Sequence, residues 1–377
     1  MAKKAYIGVS GVAKAVKKCY VGVDGTARRI KKAYIGIGGV ARPCWAGGGE
    51  LAYYGTITAL AEARSNLAAT TVGGCAMFGG GRAASIYSYT VETYNESLTK
   101  TKLLTLSQGR TDLAATTIGN YALFAGGGYD TSITYSYSNV VDAITESLTK
   151  QTASILHWPR AGLKATTVGD YALFAGGNEG NYVDAYNKSL TASTQTGLGT
   201  RVTAHAATTV GDYALFGGGY SGGDSAVVYA YNKSLTKTLP TVLSKARTSL
   251  AATTVGNYAL FGGGSQYSSV YAFSTVDAYD KSLTRTLPTE LSVARGYLSA
   301  TATGEYALFA GGKENYTYTE TSAVDAYDAS LTRTVPSALN SARSYMAATS
   351  IGGFALFGGG ANASNTKIAT VDAYIVA

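Results

Sequence analysis

One unit recurs seven times along this 377-residue chain. It has the form Arg…Ala-Thr-Thr-Val-Gly-Asn-Tyr-Ala-Leu-Phe-Gly-Gly-Gly…Val-Asp-Ala-Tyr…Ser-Leu-Thr. Its arginines are Arg64, Arg110, Arg160, Arg201, Arg247, Arg295 and Arg343, at steps of 46, 50, 41, 46, 48 and 48 residues. The phenylalanine before the glycines keeps the same beat at Phe78, Phe124, Phe174, Phe216, Phe261, Phe309 and Phe357. Short β-rich segments repeated at such a period build a ring of small sheets, and the number of copies predicts an all-β, seven-bladed β-propeller.

Each unit divides into four predicted strands. In the fifth, strand A is 250–255, strand B 258–261, strand C 275–279 and strand D 283–287. Turns at Gly256-Asn257 and Lys281-Ser282 separate A from B and C from D. Ala, Thr and Gly on the inner strands suit close backbone approach near an axis. The seventh unit reaches Val371–Ala377 without a Ser-Leu-Thr strand. Leu51–Arg64 aligns without gaps to Ser234–Arg247, so the N-terminal side is expected to donate the outer strand of the last blade. That would close the ring and leave no free edge between its ends. It would also place the preceding segment at the outer rim.

The Arg, Gly-Gly and Tyr rhythm over residues 51–376 resembles kelch repeats, as in the propeller of galactose oxidase and in many binding scaffolds. The resemblance implies a propeller and leaves function open, because propellers host many activities. Strand D lacks the tryptophan usual in kelch blades, since the chain holds only Trp45 and Trp158.

A second repeat, of period 14, fills the N-terminus: Lys3-Lys4-Ala5-Tyr6-Ile7-Gly8-Val9 returns at Lys17-Lys18-Cys19-Tyr20-Val21-Gly22-Val23 and at Lys31-Lys32-Ala33-Tyr34-Ile35-Gly36-Ile37. Ser10-Gly11, Asp24-Gly25 and Gly38-Gly39 suit two-residue hairpin turns. They predict a small antiparallel β-meander over residues 1–44, with strands from Val12 to Val23 and from Thr26 to Ile37, or with further turns at each Lys-Lys. Residues 45–50 read as a Gly-rich linker, and 51–377 as the propeller. Residues 1–46 hold ten basic side chains against Asp24, a charge of +9 in a chain of net charge +8, so the other 331 residues sum to −1. Lys3, Lys4, Lys17, Lys18, Arg28, Arg29, Lys31 and Lys32 are the candidate anchoring residues. Their regular spacing suits docking onto an acidic protein surface, or self-association into a homo-oligomer, better than reading a nucleic-acid groove. These basic YIGVxG repeats resemble segments of phage and prophage tail-associated proteins, which implies a virion partner for the segment.

Composition excludes several classes. No apolar run approaches the ~20 residues of a membrane span, and no leader-like apolar stretch follows Met1-Ala2-Lys3-Lys4, so synthesis in the bacterial cytoplasm is expected. Cys19, Cys44 and Cys75 form no CxxC pair, and with only His157 and His205 available no metal site or cofactor is expected. A copper centre of the galactose-oxidase type would need ligands that these residues do not supply. The chain is therefore expected not to be an enzyme.

Two sets of propeller residues are candidates for roles. The seven arginines fall in rhythm with Glu92, Asp142, Asp184, Asp277, Asp325 and Asp372, with Tyr229 on that beat in the fourth unit. A residue present in every blade serves every blade, so these read as structural ion pairs. The segments between strands B and C instead vary. They carry Tyr87, Tyr89, Tyr129, Tyr135, Tyr137, Tyr182, Tyr220, Tyr267, Tyr271, Tyr316 and Tyr318 among Ser, Thr, Asn and Gly. Tyr gives large, rigid contacts at low entropic cost, and recognition surfaces use this mixture. Together with the anchoring repeats, it predicts a virion tail or surface-fibre protein whose Tyr-rich face binds a host surface protein or glycan. The alternative is a cytoplasmic interaction scaffold, and the third reading is an enzyme of galactose-oxidase type.

Overall fold

The computed structural model describes residues 49–130, 134–267, 271–314 and 319–376, and the backbone of six strands within residues 6–46. Seven four-stranded antiparallel sheets form a ring. In the fifth blade the strands are Ala251–Val255, Tyr258–Gly262, Val276–Tyr279 and Arg285–Thr286. Strand D is shorter than the sequence suggests. Leu283 takes φ +62° in the C–D turn, where Asp280 Oδ1 accepts the N–H groups of Ser282 and Thr284. The Asp/Asn-x-Ser-Leu-Thr motif is thus a side-chain-templated turn and not the start of a strand.

Strand A of every blade lies beside strand A of the next, including Ala347–Ile351 of blade 7 beside Ala68–Val72 of blade 1. The outer strand of blade 7 is Leu51–Ile57, antiparallel to Val371–Val376. The ring is therefore seven-bladed and closed by the N-terminal side, as expected. Threonines of the Ala-Thr-Thr motif bond across blade seams: Thr70 to Thr117 at 2.8 Å, Thr166 to Thr209 at 2.7 Å, Thr208 to Thr254 at 2.7 Å, and Thr349 to Thr71 at 2.8 Å. Strand B supplies the bulk, with Leu260 and Phe261 fully buried.

The invariant arginine explains the rest of the unit. Arg247 Nη2 donates to the Phe261 carbonyl of its own blade at 3.1 Å and to Asp277 at 2.7 Å. The other oxygen of Asp277 accepts the backbone N–H of Ser244, three residues before the arginine, at 2.8 Å. One carboxylate thereby pins the incoming D–A crossing to strands B and C. Meanwhile the Arg247 carbonyl accepts the N–H of Gly219 in the preceding blade at 2.8 Å. Gly218 and Gly219 have φ +71° and +99°, and a Cβ on Gly218 would lie 2.9 Å from the Arg247 carbonyl oxygen, so this pair must be Gly-Gly. The same Gly-to-next-blade link is made at all seven seams, ending with Gly360 N–H to the Arg64 carbonyl. Six arginines are fully buried with their carboxylates: Arg64 with Glu92, Arg110 with Asp142, Arg160 with Asp184, Arg247 with Asp277, Arg295 with Asp325, and Arg343 with Asp372.

Arg201 corrects the sequence reading. It is exposed. Its beat belongs to Val202, whose carbonyl accepts the Gly177 N–H at 2.9 Å. In the other six blades the arginine stands 14 residues before the phenylalanine whose carbonyl it bonds. Val202 keeps that spacing to Phe216, and Arg201 misses it by one. Tyr229 pairs with Phe216 across the strands, as Asp277 pairs with Phe261. Blade 4 has therefore lost both charges together, and neither is left unpaired in the core.

In the N-terminal segment, Tyr6–Val9 pairs with Val12–Ala15, Cys19–Val23 with Thr26–Ile30, and Lys32–Ile37 with Val40–Ala46. Each pair is its own two-stranded sheet. The paired strands stand on either side of the X-Gly pairs, and Val12–Ala15 and Cys19–Val23 are separate strands, as are Thr26–Ile30 and Lys32–Ile37. The last strand reaches Ala46, two residues into the segment read as linker. Lys3, Lys4, Lys17, Lys18, Lys31 and the X-Gly pairs lie outside the described residues. Arg28, Arg29 and Lys32 lie on described strands. Among the described residues, no helix is long and apolar enough to cross a membrane.

Removing one partner of a buried ion pair should cost about 3–5 kcal/mol. Asp277→Ala should lose that much in denaturant unfolding. Arg247→Val with Asp277→Tyr, which copies blade 4, should lose clearly less. Equal losses would show that the pair does not act as a unit.

Candidate binding face

The ends of the ring differ. A–B turns and C–D turns, short and alike, occupy one. The B–C segments and D–A crossings share the other, and their bases are tied to the scaffold. Ser65 bridges Arg82, which bridges Tyr87, and the Ser88 N–H donates to the Gly81 carbonyl at 2.8 Å.

None of the nine described tyrosines of the B–C segments is buried. Tyr89, Tyr135, Tyr267 and Tyr271 are 54, 47, 63 and 42% exposed, and Tyr87, Tyr129, Tyr137, Tyr182 and Tyr220 are partly exposed. Tyr316 and Tyr318 lie outside the described residues. The contrast is with the strand C tyrosines Tyr94, Tyr186, Tyr231, Tyr279, Tyr327 and Tyr374, which are fully buried and donate their hydroxyls to backbone carbonyls. The loop tyrosines are not blade-packing groups. They associate in small clusters. Tyr220 stacks on Tyr267 with centroids 3.9 Å apart, and Tyr135 meets Tyr137 edge-on at 5.5 Å. On blade 3, Trp158 is 48% exposed and stacks on Tyr182 at 5.7 Å, with His157 against both.

At the axis this face holds an open depression of about 950 Å3. Three of its lining residues, Asn66, Asp112 and Tyr345, belong to a ring of one residue from each blade. Asn66, Asp112, Ala204, Ser249, Tyr297 and Tyr345 take φ between 52° and 57°, and Gly162 takes 68°. Each N–H donates to the carbonyl of the preceding member, from Asn66 to Tyr345 (3.0 Å), Asp112 to Asn66 (3.0 Å) and Gly162 to Asp112 (2.8 Å) round to Tyr345 and Tyr297 (3.3 Å). One link, between Ala204 and Gly162, is not made. Of the described tyrosines proposed from sequence, Tyr87 and Tyr135 line the depression. Tyr345, Arg82, Lys313 and Lys367 join them. Arg82 lies over the Tyr87 ring at 5.6 Å, and Lys313 over the Tyr345 ring at 5.4 Å. Tyr87 donates its hydroxyl to Asp130 at 3.0 Å.

Departures from the repeat gather at the seam where that ring is open, between blades 3 and 4. Val202 and Tyr229 replace the ion pair. His205 stands where other blades carry Leu or Met. Lys164 stands where they carry Ala or Ser, at Ala68, Ala114, Ala206, Ala251, Ser299 and Ala347. His205 is buried, no described side chain hydrogen-bonds either ring nitrogen, and it packs on Phe216. Burial first, and then the nearby Lys164 charge, push its pKa down to about 3. Cys75 is in strand B of blade 1, far round the ring from either histidine's blade, so the three are not gathered at one centre. Among the described residues no group of His, Cys, Asp and Glu is placed to hold a metal ion.

Sequence reasoning found the face and missed the axis. Lys164 could have been found by comparing strand A starts column by column, since it is the one charged residue there.

No family model matches the chain, and no curated protein matches it. Among solved structures it is similar to the one described as the structure of YjhT. The TM-score is 0.59 and the identity 13%, over 74% of this chain and 99% of that one. At that identity the likeness shows the fold alone.

His205 gives the fold an acid-sensitive point. Its folded pKa of about 3 lies below the ordinary 6.5, so between those values the unfolded chain binds more protons. Stability from this site is full above pH 6.5 and falls by about 1.4 kcal/mol per pH unit below it. His205→Leu, which restores the repeat residue, should gain stability over the parent chain as pH drops from 6.5 to 4. A pH-independent difference would refute this.

Proposed function

We propose that this chain is a non-enzymatic virion protein of a phage or prophage, with a propeller of kelch type. Its basic N-terminal hairpins anchor it to a structural protein of the particle, and the propeller presents its tyrosine face to a host surface protein or glycan. One observation carries the binding part: every described B–C tyrosine reaches solvent, while the strand C tyrosines are buried and bonded. Aromatic side chains exposed on loops with fixed bases are pre-ordered for contact, which lowers the entropic cost of binding. The anchoring part rests on charge. A +9 segment joined to a propeller of near-neutral charge suits an acidic docking surface.

Replacing Tyr89 and Tyr267 with Ser should leave the ring folded and weaken binding to host cells about tenfold or more, as for interface anchor residues. Labelled antibody should find the chain on intact particles. Unchanged cell binding would refute the face. Absence from particles would refute the virion role and leave the scaffold reading.

A further inference from the structure

The crossing that leads into blade 3 departs from the repeat at one exposed position. Two residues before the buried arginine, the other blades carry Glu62, Gln108, Lys245, Val293 and Ser341, and blade 4 carries Thr200 before Val202. Blade 3 carries Trp158. Its backbone is held on both sides. Leu156 and Arg160 are fully buried. The His157 N–H donates to Asp184 Oδ1 at 3.4 Å, and the Trp158 carbonyl accepts from Arg160 Nη1 at 3.2 Å. Pro159 follows, which fixes its own φ and restricts Trp158 to extended backbone. The buried ion pair that holds the blade therefore also holds Trp158 at the surface.

The indole ring is supported as well. Tyr182 stacks on it at 27°, with centroids 5.7 Å apart. Gly180 makes room for the Tyr182 ring, since a Cβ there would lie 2.4 Å from Tyr182 Cε2. His157 stands edge-on to Trp158 at 84° and 5.6 Å. Backed in this way, Trp158 is still 48% exposed. The B–C segment of blade 3 leaves it uncovered: it has seven residues, 176–182, where every other blade has ten or more. A large aromatic surface already ordered before contact loses little entropy on binding.

We propose that Trp158, backed by Tyr182 and flanked by His157, is a sugar-stacking subsite that takes a pyranose ring of a surface glycan. It rests on the reading of this face as the binding face, and it names the glycan as the ligand class. A pyranose with equatorial hydroxyls turns a flat layer of C–H groups to one side and its hydroxyls to the edge. Trp158 offers the matching flat apolar surface. The His157 imidazole offers a donor and an acceptor at its rim for the hydroxyls. An anchor side chain of a protein partner instead seats in a pocket, and Trp158 stands outside the axial depression. No other blade has an aromatic residue at this position, so the ring carries one such subsite.

The test uses the whole chain carrying Trp45→Phe, which leaves Trp158 as the single tryptophan and so the reporter of its own site. Its fluorescence is titrated with cellohexaose and chitohexaose, whose rings have equatorial hydroxyls, and with sorbitol, which has hydroxyls and no ring. At least one oligosaccharide should change the emission saturably, and sorbitol should not. By calorimetry, Trp158→Ala should weaken that binding at least about tenfold, as for an aromatic anchor, and Trp158→Phe should retain part of it. Tyr54→Ser, which removes an exposed aromatic ring from the outer strand of blade 7, should change nothing. No saturable response to either oligosaccharide, an equal response to sorbitol, or unweakened binding by Trp158→Ala would overturn the proposal. So would host-cell binding that survives periodate, which cleaves sugar diols, and is lost after protease, because that marks a protein partner. The titrations involve no host cell and leave Tyr89 and Tyr267 in place. Their failure leaves the tyrosine face standing, and failure of the tyrosine variants leaves the oligosaccharide result standing.

Discussion

Six guanidinium groups lie fully buried in this ring, and burying a charge is tolerable only where it is paired and hydrogen-bonded. Each Arg–carboxylate pair meets that condition and does three things at once. The side chain closes its own blade by bonding the end of strand B and the carboxylate of strand C. The carboxylate fixes the D–A crossing by accepting a backbone N–H. The arginine's carbonyl takes the Gly-Gly N–H of the previous blade. Spacing within the unit follows from these bonds. The arginine must stand 14 residues from its phenylalanine, and the glycines must lack Cβ atoms where the next blade's carbonyl approaches.

Most of the fold was legible because the same constraint is written seven times. Blade number, strand order within each blade and ring closure by Leu51–Ile57 all follow from the repeat. What was not legible came from local chemistry that periodicity does not weigh. The Ser-Leu-Thr motif reads as a strand because Leu and Thr suit strands. Its Leu instead takes positive φ, since the preceding Asp or Asn side chain bonds two backbone N–H groups. Arg201 was placed on the beat by residue type when its spacing was wrong by one. The N-terminal strands pair on either side of the X-Gly pairs, which lie outside the described residues.

The candidate site was legible only in part for a related reason. Tyrosine enrichment marks a face, because loops vary where blades do not. It does not say which loop residues converge, and of the described loop tyrosines Tyr87 and Tyr135 reach the axial depression. Arg82, Lys313 and Lys367 come to the axial depression through ring closure, from blades far apart in sequence. The seam between blades 3 and 4 shows how the two layers of information separate. The residues common to all blades hold the ring, and the residues that depart from the repeat, Lys164, Val202, His205 and Tyr229, mark where this ring differs from a symmetric one.

That division makes the two ends of the molecule unequal: one carries only short templated turns, and the other carries exposed aromatic groups and a charged axial depression. Oxidative footprinting of the protein bound to host cells tests it most directly. Protection is expected at Tyr89, Tyr135 and Tyr267 and at Trp158, with Tyr121, Tyr171 and Tyr213, which open strand B beside the A–B turns, unchanged. Protection confined to those three tyrosines would contradict it.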